Sequence, residues 1–92
     1  MWLNRYPMKI SLPNISILKM EDKYRFIGII GGLHSSLGMY SSVQEGVCSL
    51  LDKGRLKVLF RIELEHLWLK GEEMGWDENK LFNLKIPDGH QA

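Results

Sequence analysis

Arg55-Leu56-Lys57-Val58-Leu59-Phe60-Arg61-Ile62-Glu63-Leu64-Glu65-His66-Leu67-Trp68-Leu69 is the stretch whose reading decides the fold. With a period of two, Leu56, Val58, Phe60, Ile62 and Leu64 point one way. Arg55, Lys57, Arg61, Glu63 and Glu65 point the other, with Leu59 as the one apolar intruder. An apolar face backed by a charged one is the pattern of a half-buried strand. A helical stripe through Leu56, Leu59, Phe60, Leu64 and Leu67 competes with it. That stripe leaves Val58, Ile62 and Trp68 outside and takes Glu63 inside, so the strand is preferred and is expected to run on through Leu69.

Upstream, Ser41-Ser42-Val43-Gln44-Glu45 offers two overlapping capping boxes, Ser41 with Gln44 and Ser42 with Glu45. Val43, Val47, Leu50 and Leu51 follow at i, i+4, i+7 and i+8, one face of a short helix. Lys53 and Gly54 are expected to stop it, a cation at the carbonyl end and a residue free to turn left-handed.

Before the helix, Met8 to Met20 reads as a first strand region interrupted at Pro13-Asn14, where a proline implies an edge or a bulge. Glu21-Asp22-Lys23 is a hairpin hinge. Tyr24 to Ile30 is a second strand, apolar on both faces through Ile27 and Ile29, which predicts a central position or a dimer contact. Residues 31–40 hold three glycines and two serines and read as a loop, with a short third strand near Leu37 to Tyr40 as an option. After the decisive stretch, Lys70 to Asn79 reads as a polar loop and Lys80 to Ile86 as a last alternating strand. The fold expected is α+β: a small antiparallel sheet of four or five strands with one helix packed on a face, in the order β-β-α-β-β.

Ninety-two residues make one domain, 1–92, with 1–7 and 87–92 expected as flexible ends and Met8 as an alternative start. A chain this short buries a modest fraction of its surface, which favours a partner or a dimer. Hydrophobic residues at 45%, charged residues at 25% and a net charge of +1 describe an ordinary globule with no global field for nucleic acid or membrane. No signal-peptide core and no membrane-length apolar run are present. A lone Cys48 makes no internal disulfide and fits a reducing cytoplasm.

Chemistry-bearing residues are few. His34, His66, His90 and Cys48 show no metal-ligand spacing, and Cys48 sits among helix-face residues as a small packing group, so no catalytic residue, metal or cofactor is implied. Trp76 lies among Glu72, Glu73, Asp77 and Glu78, and Trp68 leads into that loop. Tryptophan is a preferred interface anchor, so these six residues form the expected partner-binding site, suited to a protein with a basic site. Trp76 as a plain cap on the core is the competing reading. Lys53, Arg55, Lys57 and Arg61 form the single local basic group; a strand face holding three of them is the alternative, nucleic-acid reading, although Glu63 and Glu65 continue that face. Trp2, Tyr6, Trp68 and Trp76 add aromatic surface and point towards a homodimer.

The chain carries no family motif. Its hairpin, glycine-containing loop and capped helix resemble, over the middle third, the element order of the small partial-RNase-H-like fold of HicB-type antitoxins, a likeness carried by no specific residue. A small non-enzymatic inhibitor, immunity protein or antitoxin of a bacterial or phage-bearing cell is the expected function, with a nucleic-acid-binding or regulatory module as the alternative.

Overall fold

Among the described residues four strands come first and three helices follow. The computed structural model describes residues 8–84. In it β1 (Lys9–Ser11), β2 (Ile15–Lys19), β3 (Tyr24–Ile30) and β4 (Leu33–Tyr40) precede α1 (Val43–Leu51), α2 (Val58–Met74) and α3 (Glu78–Phe82). The strands form one antiparallel meander in the order β1-β2-β3-β4. The α+β class and the antiparallel sheet therefore hold, while the expected β-β-α-β-β order with a single helix does not. Expectations for residues 1–7 and 85–92, including Trp2, Tyr6, Ile86 and His90, lie outside the described residues.

Turn chemistry sets the meander. Pro13-Asn14 is a hairpin turn between two strands and not a bulge within one: the Leu12 amide donates to the Ile15 carbonyl at 2.8 Å. Proline's missing donor does no harm there, because the turn tip asks for no ladder bond. At Glu21-Asp22 the Met20 amide donates to Lys23 at 2.8 Å, closing the second hairpin as expected. Gly31 and Gly32 have φ of 59° and 82°. Two successive positive φ values make the tight turn that matches strand twist, so the glycines join two strands and are not the start of a loop. β4 consequently runs from Leu33, and a register shift opposite Phe26 and Ile27 leaves Leu37 as the extra residue of a bulge.

The register puts Ile10, Ile17 and Phe26 in one row and Ile15 and Gly28 in the next, all on the buried face. The helices cover that face. Gly46 of α1 lies against the Phe26 ring so closely that a Cβ there would collide with it, and Phe60 of α2 seats on Gly28 in the same way. On the other face Leu18, Ile27 and Ile29 are half-buried among Lys9, Arg25 and Met39. β3 is central, as its two-sided apolarity predicts.

α1 forms where the sequence marks it. The Ser42 hydroxyl accepts from the Glu45 amide at 3.0 Å, and the Glu45 carboxylate reaches back to the Ser41 amide at 3.1 Å. Val43, Val47 and Leu50 are buried on one face. Its end differs from expectation: Asp52 caps it in a right-handed conformation, and Gly54 does not take a positive φ. The cation at the carbonyl end is Arg61 of α2, which donates to Leu51 O at 3.3 Å and to Lys53 O at 3.1 Å.

The decisive stretch is a helix. α2 runs 17 residues and buries Phe60, Leu64, Leu67 and Gly71, at i, i+4, i+7 and i+11. Val58, Leu59, Ile62 and Leu69 are exposed on the opposite side. Apolar residues on both faces blur the 3.6-residue period, and over Leu56 to Leu64 they mimic alternation. Lys57 precedes the helix with no side-chain cap, and no acid stands in the first turn, so the usual start signals are missing as well. Residues 80–86 likewise hold no strand where described. Asp77 accepts from the amides of Asn79 at 2.9 Å and Lys80 at 3.4 Å, starting α3, whose Leu81 enters the core.

Candidate functional site

The C-terminal end of α2 assembles the tryptophans. Gly75 adopts φ 66°, with its amide directed to Glu72 O at 3.4 Å and the Trp76 amide to Gly71 O at 2.8 Å. This pair of bonds is a Schellman ending. Trp76 itself has φ 57°, the single non-glycine positive φ among the described residues. A left-handed backbone at such a residue costs about 1–2 kcal/mol. Three contacts offset it. The indole covers Gly71, where any side chain would collide with it. Its Nε1 donates to Glu72 at 2.9 Å. Its ring meets Trp68 edge-on, with centroids 5.1 Å apart at 61°.

Trp68 also lines an open groove of about 330 Å³ between α1 and α2, together with Ser42, Gln44, Glu45, Cys48 and Ser49. Its indole is half-buried, packed on the core and still reachable from the groove. The structure thus brings together Trp68, Glu72 and Trp76. Glu73 stands on the adjoining exposed turn, 3.7 Å from Lys70. Asp77 caps α3, and Glu78 is drawn away to the sheet, where it accepts from the Tyr24 hydroxyl and lies 3.1 Å from Lys19 Nζ.

That Tyr24–Glu78–Lys19 cluster fastens α3 to β2 and β3. Burial, then the hydrogen bond to Glu78 and its negative charge, push the Tyr24 phenol up to about 12. The bonds from Tyr24 and then Lys19 hold the Glu78 carboxyl below its ordinary value. A second long-range clamp joins α2 to the first hairpin: the Asn14 amide donates to both Glu63 oxygens at 3.0 Å, and its side chain to Oε2 at 2.8 Å. Glu63, read from the sequence as part of a charged face, instead holds a turn whose amide has no ladder partner.

The groove residues of α1 had no sequence signal as a site. Ser42 and Glu45 were legible only as a cap, and Trp68 meets them only because residues 58–69 are helical. Cys48 is exposed in the groove and not packed in the core as expected. His66 lies on the outer side of α2 and His34 on the exposed part of β4, so neither joins Cys48. The basic strand face does not form: Lys53, Arg55 and Lys57 belong to the α1–α2 connection, and Arg61 is engaged at the end of α1. Among the described residues no three His, Cys, Asp or Glu side chains gather to hold a metal ion, and no helix is long and apolar enough to cross a membrane. Comparison with family models, curated proteins and solved structures found no match to this chain, so the HicB-like element order gains no support from them.

Proposed function

We propose that the protein is a small non-enzymatic binding protein of the inhibitor, immunity-protein or antitoxin kind, acting in the cytoplasm by occupying a surface of another protein. The observation that carries this reading is the Trp68 groove. An indole held edge-on by Trp76 is a rigid anchor that loses little conformational freedom on binding. Polar residues of α1 line the opposite wall, Glu45 among them with one carboxylate oxygen on the Ser41 amide, and Glu72 stands one helical turn beyond Trp68. An aromatic floor with acids beside it suits a protruding basic side chain on the partner, whose aliphatic stem would lie on the indole and whose charge would meet the carboxylates.

Retention of a partner from source-cell extract by immobilised protein tests the assignment. Ser49→Tyr fills the groove from the α1 side without touching the core. It is expected to abolish retention of a partner that wild type and a Lys23→Glu control both keep. Equal retention by Ser49→Tyr would remove the groove from the interaction. Partner addition is also expected to shift the tryptophan emission of the wild type.

A further inference from the structure

We infer that the outward face of α2 is a self-association surface, on which two copies of this chain pair antiparallel about a two-fold axis midway between Ile62 and His66. The inference is independent of the Trp68 groove, which opens on the side of α2 turned towards α1. Leu59, Ile62, His66 and Leu69 form the seam, about half a turn of helix away from the buried Phe60, Leu64 and Leu67. Leu59 is 46%, Ile62 60% and Leu69 62% exposed, and no described element lies over them. Exposed singly, such residues need no explanation; aligned along most of a 17-residue helix they make a continuous stripe.

Three features select a second copy as the occupant. The spacing of the seam is three, four, three, which reads the same from either end. Antiparallel pairing therefore sets Leu59 on Leu69 of the other copy and Ile62 on His66, an isologous contact that closes on itself. Helix dipoles oppose in that arrangement. Charge is also complementary along it: exposed Arg55 and Lys57 precede the helix, and exposed Glu72 and Glu73 stand at its end. The same two-fold sets the end of α2 that Arg55 precedes in each copy against the end that carries Glu73 in the other. Within one chain those two residues lie at opposite ends of a helix roughly 25 Å long and cannot meet. Two features of the seam oppose pairing. The Glu65 carboxylates of the two copies approach each other beside the axis. His66 also places a polar ring where an apolar one would pack better.

Sedimentation of the full chain across micromolar concentrations is the test, with circular dichroism to verify that each variant stays folded. The wild type is expected to shift from monomer to dimer with concentration. Ile62→Glu, an exposed position, is expected to raise the dimer Kd about tenfold or more. His66→Leu and Glu65→Gln are expected to lower it. Arg55→Glu alone is expected to weaken the dimer and Arg55→Glu with Glu73→Arg to restore it, a coupling that only the antiparallel pairing produces. A wild type that stays monomeric, with His66→Leu no different, would overturn the inference and leave the face to another partner. A dimer indifferent to Ile62→Glu would overturn it by placing the contact elsewhere, such as on the open sheet face. A dimer weakened by Ile62→Glu but not rescued by the charge swap would overturn the antiparallel arrangement.

Discussion

α1 and α2 are neighbours in the chain and pack on the same sheet, yet they are specified in opposite ways. α1 carries its own instructions. A serine cap, a glutamate that reaches back and a single apolar face lie within nine helical residues and their flanks. α2 has no capping side chain, no acidic first turn and apolar residues on both sides. Remote groups fix it: Glu63 on Asn14, Arg61 on the carbonyl end of α1, and Phe60 against Gly28. The difference teaches that a helix can be written locally or held in place by its surroundings, and the second kind has weak sequence signals.

Substitutions can break or sharpen this contrast. Leu64→Ala should have the largest effect, because Leu64 is fully buried under α2 and its loss leaves a cavity; about 2–5 kcal/mol of stability should disappear in urea unfolding. Glu63→Ala removes three charge-assisted bonds to the hairpin turn and should cost about 1.5–3 kcal/mol. Asn14 amide exchange should accelerate in the same variant, and unchanged protection would show that α2 does not need this clamp.

The anchor of α3 belongs to the same remote class, and pH reads it. The raised phenol of Tyr24 contributes stability that is intact below the ordinary value of 10.0 and is lost as pH rises towards about 12. The lowered carboxyl of Glu78 contributes stability that is present above its ordinary value of 4.5 and is lost as pH falls below it. Tyr24→Phe should cost about 1 kcal/mol at neutral pH and flatten both limbs of the stability profile. Retention of the alkaline limb in Tyr24→Phe would assign that limb to another group. Ser42→Ala should have a similarly small effect, about 1 kcal/mol, confined to the cap of α1. A loss near that of Leu64→Ala would erase the distinction between the two helices.

The candidate site was legible in part for related reasons. Trp68, Glu72 and Trp76 are near in sequence, so proximity alone pointed to them; Trp68 and Glu72 stand one turn apart on α2, and the left-handed ending at Gly75 and Trp76 folds the second indole back onto them. Asp77 and Glu78 carried the same acidic signal and are taken up by the α3 cap and by Tyr24, contacts that depend on where β2 and β3 lie. Ser42 and Gln44 were legible only as capping residues, Cys48 only as a packing group and Ser49 not at all, since nothing in a serine or glutamine on a helix surface tells which neighbour will face it.

By itself the sequence determined the α+β class, the Glu21-Asp22 hairpin, the central place of β3 and the capped helix α1. Each rests on interactions within a few residues or on a clean apolar period. Only the tertiary structure decided that Val58 to Leu69 is helical. Its apolar residues satisfy two periods at once, and the choice between them falls to the burial of Phe60, Leu64 and Leu67 on the sheet and to the carboxylate of Glu63 reaching a turn 49 residues away. Side chains such as Ile62, which made the strand reading attractive, spoiled the helical period because they face outward from α2.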